Sequence, residues 1–269
     1  MTGDRMGSAN GGLNASAMTA FEDEQSIPAM WMDMRENPCR FNERDEVFSL
    51  VGCLCMSDRA LARLACLLQE SPWLCGVEDR ARGYSPLRVC AAMGHWAGLE
   101  IMEKHAHVLD WQCASLGGDT ALILAARDKA VKCAQILAPR SNLLAVDIWG
   151  RSAAMSAAYL GSVEILATLI DGSDALSIDQ DGLDLLGCAA GSGVAECCDL
   201  VLLKLSAEHP AQLLERARGG SSRARALNYP LLAARIEGMS QALLEHAELG
   251  GSQDGAVGHA GSPGRAMRI

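Results

Sequence analysis

Aromatic residues are scarce in this chain, at 4% of 269 residues, although hydrophobic residues make up 49%. A core with so few rings must be filled by Ala, Leu, Cys, Met and Ile, which suits closely stacked helices better than a sandwich or barrel. A surplus of positive charge is also missing. The formal net charge of −10 excludes nucleic acid and an anionic membrane surface as default partners. No run in the sequence approaches the roughly 18 apolar residues of a membrane span, and the opening MTGDRMGSANGGLNASAM has no apolar h-region of a secretory signal. The chain is therefore expected to fold in the cytoplasm. Signatures of catalysis are missing too: there is no GxxxxGK[ST] phosphate loop, no GxGxxG after a strand, no GxSxG and no HExxH. The expectation is a protein without a cofactor and without enzymatic activity.

Eleven cysteines stand against these absences. Their odd number and the lack of CxxC pairs argue against a disulfide framework. Cys53 and Cys55 lie two apart and Cys197 and Cys198 are adjacent, neither of which is a usual zinc spacing. Most are expected to be small, reduced core residues, with redox chemistry at Cys197 and Cys198 as the alternative. His105 and His107 are also two apart, which on a helix puts them on different faces and is poor for a shared metal.

The sequence does hold a repeat. Glycines recur at Gly83, Gly118, Gly150 and Gly182, at steps of 35, 32 and 32 residues. Two residues after each comes Ser85, Thr120, Ser152 or Asp184, whose oxygen can accept from a free N–H in a first helical turn. Seven and eight residues after each glycine come the pairs Cys90-Ala91, Ala125-Ala126, Ala157-Ala158 and Ala189-Ala190, which keep a helix thin. A second break follows at Gly94, Lys129, Gly161 and Gly193. In the third copy Val163, Leu166, Ala167 and Ile170 then mark one buried helical stripe. Two helices this short cannot bury both apolar faces alone, so each unit needs copies on either side.

This pattern resembles the ankyrin repeat, with a period of about 33 residues and a T-P-L-H-x-A opening. Ser85-Pro86-Leu87, Thr120-Ala121-Leu122, Gly94-His95 and the aspartates Asp147 and Asp179 carry the likeness. Arg88, Ile123, Met155 and Gly187 stand where the signature histidine belongs, so its hydrogen bonds must be missing or replaced. The resemblance implies an all-α helical repeat solenoid of about six helix pairs with disordered termini.

Along the chain, residues 1–26 are expected to be a disordered tail, whose Ser/Asn/Gly-rich composition is similar to the uncleaved export signals of bacterial type III effectors. Residues 27–44 form an apolar lead-in containing Trp31 and several methionines. The repeat domain is expected over 45–249, with a capping unit at 45–78 and repeats from 79, 114, 146 and 178. Asp58 is expected to cap the second helix of the capping unit. Residues 206–226, broken by Pro210, Gly219 and Gly220 and carrying Arg216, Arg218, Arg223 and Arg225, are expected as an elongated helix and loop inserted before the last unit. It would be a solvated loop, or a site for an anion or for phosphorylation at Ser221 or Ser222. A last unit at 227–249 is placed by matching Pro230 and Gly238 to Pro86 and Gly94, and a disordered tail follows at 250–269.

The resemblance also implies a binding face, made of turn tips and the exposed side of the inner helices. Carried onto this sequence, its positions are Arg82, Tyr84 and Met93 in the first repeat, and Asp119, Arg127 and Asp128 in the second. The third supplies Ile148, Trp149, Arg151, Tyr159 and Leu160, the fourth Gln180 and Asp181. Trp149, Tyr159 and Arg151 give the third set the composition of a binding hot spot, and Trp111 is a secondary candidate. The implied function is binding of a partner protein by a monomer, with an exported effector acting on a host protein as the alternative.

Overall fold

The helices that follow Gly83, Gly118, Gly150 and Gly182 are short because each is started by a side-chain cap and stopped within about two turns by a residue with positive φ. Ser85, Thr120, Ser152 and Asp184 accept from the backbone N–H groups of Arg88, Ile123, Met155 and Gly187 respectively, so all four expected caps are made. The breaks fall at Gly94, Lys129, Gly161 and Gly193, all at positive φ. The computed structural model describes residues 51–52, 61–78, 83, 85–105, 107 and 109–254. The tail at 1–26, the lead-in at 27–44, Asp58, Arg82, Tyr84 and residues 255–269 lie outside them. Among the described residues there are eleven α-helices and one isolated antiparallel bridge, between Ala114 and Thr120.

The chain divides into two units between Ile148 and Trp149. In the first, α1 (Leu61–Glu70) buries Leu64 and Leu68 and packs on α3 (Trp96–Glu103). α2 (Pro86–Ala92) packs on α4 (Ala121–Arg127), and α3 on α5 (Val131–Leu137). α2 and α4 are thus the inner helices, α3 and α5 the outer. His95, which the resemblance noted only as Gly94-His95, caps α3: its Nδ1 accepts from the Gly98 N–H at 3.1 Å.

In the second unit α6 (Ala153–Tyr159) packs on α8 (Leu185–Ser192), and α7 (Val163–Leu169) on α9 (Ala195–Glu208). α10 (Leu213–Ala226) continues the inner row against α8, while α11 (Pro230–Asp254) continues the outer row against α9. The alanine pairs of α4, α6 and α8 are completely buried, which lets these inner helices approach closely.

This arrangement corrects the expected insertion at 206–226. Residues 213–226 are the inner helix of the last pair, and Pro230 opens its outer helix, where proline's missing N–H costs nothing. Gly238 lies inside α11 and ends no helix; the helix itself runs on past residue 249 to Asp254. The break equivalent to Gly193 is Asn228, at φ +65°, asparagine being the non-glycine residue most tolerant of that region. Gly220 is a packing residue, since a Cβ there would stand 2.9 Å from Leu186 Cγ.

Candidate binding face

In the first unit, the turn before α4 is closed by Ser115. Its Oγ accepts from the N–H groups of Gly117 at 3.2 Å and Asp119 at 3.1 Å. The next turn joins it through Ile148 N–H donating to Gly117 O at 3.0 Å. Arg127, at the end of α4, braces both turns: its Nη2 lies 2.6 Å from Asp119 Oδ1 and 3.2 Å from Asp147 Oδ2. Asp119 is consequently only 7% exposed, which corrects its expected role as a partner contact; its carboxylate is committed to Arg127. Met93, Asp128 and Ile148 are exposed. Leu116, Leu144 and Val146 are exposed beside them in the sequence of the turns, with Leu116 at 76%, and were not among the expected contacts. Trp111 is half-buried beneath the Arg140 guanidinium.

Arg88 explains the missing signature histidine of this unit. It is 1% exposed, and its guanidinium donates to Cys113 O and to Glu78 Oε1, both at 2.9 Å. The Cys113 thiol donates to the same Glu78 oxygen at 2.8 Å. One buried cation thus ties the start of α2 to the segments on either side of it.

In the second unit the same design recurs with different residues. Asp179 Oδ1 accepts from the N–H groups of Asp181 and Leu183, both at 2.9 Å, as Ser115 Oγ does in the first. Asp179 Oδ2 receives Arg151 Nε at 2.9 Å, and Arg151 Nη2 reaches Asp181 Oδ2 at 2.5 Å. The Gln180 N–H donates to Trp149 O at 2.9 Å and joins the two turns. Held by these contacts, the Arg151 guanidinium lies 5.1 Å from the centre of the Tyr159 ring, within cation–π range. Trp149 is 47% and Tyr159 41% exposed; Gln180 and Asp181 are exposed, and Leu160 is half-buried. The structure therefore brings Arg151, Tyr159 and Asp181 together around one guanidinium.

Sequence reasoning grouped Arg216 and Arg223 with the other arginines of 206–226 but did not place them on a helix beside α8. Arg216 reaches Asp184 Oδ2 at 3.3 Å, and Arg223 lies beside Gly191 near Tyr159. The signal that could have found them is the spacing of Arg216, Gly220 and Arg223, one helical stripe, hidden by treating the glycines as a loop. A cavity of about 550 Å³ elsewhere in this unit is lined by Tyr229, Leu231 and Arg235 among others, and the Arg235 guanidinium is already paired with Asp199.

The expected chemistry of the cysteines can be placed. Cys75, Cys90, Cys133, Cys188, Cys197 and Cys198 are buried. Burial pushes the Cys197 thiol up to about 11 and the Cys198 thiol up to about 12, far from the reactive thiolate range. Cys39, Cys53 and Cys55 lie outside the described residues. Among the described residues no three His, Cys, Asp or Glu side chains converge as a metal site, and no helix is long and apolar enough to cross a membrane.

Stacked pairs of helices joined by hydrogen-bonded turns define a helical repeat protein. Residues 99–179 match the family model described as ankyrin repeats (3 copies). The protein carries ankyrin repeats, and such repeats are protein–protein interaction modules. No curated protein matches the chain.

Proposed function

We propose that this protein is a non-enzymatic interaction module that binds a partner protein through the turn tips and inner helices of its second unit, with Trp149, Arg151, Tyr159, Gln180 and Asp181 as contacts. One observation carries this reading. Trp149 and Tyr159 each keep more than two fifths of their surface exposed on either side in sequence of an arginine that two carboxylates already hold in place. Large rings left in water beside a pre-ordered cation give apolar area at low entropic cost, the composition of an interface centre. Met93, Arg127, Asp128 and Ile148 are the corresponding contacts offered by the first unit.

The test is capture of proteins from lysate by the wild type beside a Trp149→Ala, Tyr159→Ala double variant, with circular dichroism confirming that both are folded. Proteins retained by the wild type and lost by the variant support the reading, and equal retention removes it. The Ser/Asn/Gly-rich composition of residues 1–26 supports a second reading, a bacterial effector exported by a type III-like route, which fails if those residues do not export a fused reporter.

A further inference from the structure

The arginines of α10 are not equivalent. Arg225 is held by both carboxylate oxygens of Glu237, at 2.6 and 2.8 Å, and Arg216 is paired with Asp184. Arg218 is exposed. Arg223 is half-buried, and its guanidinium has no ion pair or hydrogen bond within the described residues; its Nε is covered and has no acceptor. The carboxylates of this region are already committed: Asp179 and Asp181 to Arg151, Asp184 to Arg216.

Its surroundings narrow what could complete it. The Arg223 Nε stands 4.0 Å from where a Cβ on Gly191 would lie, and the edge of the Tyr159 ring stands 3.9 Å from the same point. Gly191 and the edge of the Tyr159 ring therefore wall the covered Nε side of the guanidinium, which leaves its two Nη groups as the donors a ligand can reach. A guanidinium that has lost part of its water and kept donors unused favours an anion, and a planar carboxylate matches its fork in a bidentate pair.

We propose that Arg223, with the Tyr159 ring beside it over Gly191, receives the carboxylate of an aspartate or glutamate in a segment of the partner protein. The proposal rests on the interaction reading above and gives that partner its chemistry: an acidic segment. A carboxylate here meets a guanidinium whose Nη groups have no acceptor within the described residues, beside an aromatic ring that its aliphatic stem can lie against.

The experiment selects binders to the full chain from a phage-displayed random peptide library and measures the winning peptides by fluorescence anisotropy. Peptides enriched in Asp or Glu are expected, with binding weakened about tenfold or more by Arg223→Gln or by replacing the peptide acid with its amide. Arg218→Gln, an exposed arginine of the same helix, is expected to change affinity by less than about threefold, and Arg223→Lys to restore only part, because lysine keeps the charge but loses the fork. Winning peptides without acids overturn the proposal, as does equal weakening by Arg218→Gln and Arg223→Gln, which would mean diffuse attraction. A library that yields nothing released by Arg223→Gln overturns it too. If those peptides are nevertheless released by Trp149→Ala with Tyr159→Ala, the interaction reading survives while the acidic partner does not; if neither change releases them, both fall.

Discussion

Tyr229 lies across Gly193 so closely that a Cβ on the glycine would stand 2.9 Å from the phenol Cζ. The contact repeats a rule seen twice more: Gly94 faces Ala130, and Gly161 faces Val194. In each case the residue just after one break packs on the glycine of the break before it. Gly193 also sits at φ +78°, so alanine there meets both a clash and a strained backbone. Gly193→Ala is expected to cost about 2–3 kcal/mol, measured by urea unfolding; a loss below about 0.5 kcal/mol would show that the ring moves aside freely.

Lys129 occupies the equivalent break of its own repeat at φ +56°. A side chain in the left-handed region costs about 1 kcal/mol, which glycine avoids. Lys129 is exposed and its loss leaves no cavity. Lys129→Gly is therefore expected to stabilise the protein by about 0.5–1 kcal/mol, read as a higher urea midpoint with an unchanged slope. A lower midpoint would refute it.

The brace of the first unit gives a third expectation. Arg127 joins Asp119 to Asp147, and both residues are mostly buried. Removing the cation leaves those carboxylates facing each other with less compensation. Since Arg127 itself is about a third exposed, solvent screens the loss, and Arg127→Gln is expected to cost about 1–2 kcal/mol. A double-mutant cycle with Asp147→Asn measures the coupling and would return zero if the pair were ornamental.

Alkaline pH provides a fourth. Burial raises the thiols of Cys133 and Cys197 to about 11 and those of Cys188 and Cys198 to about 12, while an unfolded thiol ionises near about 8.5. The folded state therefore holds these protons after the unfolded chain has released them. Their stabilisation is complete below about pH 8.5 and is lost as pH rises toward 11–12, by at most about 1.4 kcal/mol per pH unit for each thiol. A Cys188→Ala variant should show a shallower decline between pH 9 and 11 (roughly one thiol's share) than the wild type in chemical unfolding. Parallel declines would show that Cys188 is not the source.

Trp149→Ala is expected to weaken partner binding by about 2 kcal/mol or more while costing only about 1 kcal/mol in urea unfolding, because close to half of the residue is in water. Calorimetry against the captured partner checks the first half and denaturation the second.

The helices between Ser85 and Ser192 were legible because their caps, small pairs and breaks are local signals of residue type. Ser152 and Thr120 could be assigned as caps without knowing any neighbour. The last pair was not legible for the same reason. Asn228 replaces the expected glycine, and Gly219-Gly220 resembles a loop until Leu186 is seen against Gly220. Pro230 opens an outer helix where Pro86 opens an inner one, and proline suits both. The face was legible in outline through the turn positions. Asp119 could not be separated from Asp181, because each pairs with an arginine and only burial, which the fold sets, tells the two apart. Arg88 shows the same limit, since its partners Glu78 and Cys113 are joined only by folding.

The buried alanine rows also bear on how this protein can change over time. A wall of alanine admits substitution only by residues of nearly its own volume, so drift at these paired positions is confined to Gly, Ser, Ala and Cys. Cys90 stands where Ala125, Ala157 and Ala189 stand in the other repeats, and all four are fully buried. Cysteine at that position is thus a choice of size, admitted by a steric sieve that shuts out larger side chains, while the turn tips are left open to diversify against new partners without disturbing the stack beneath.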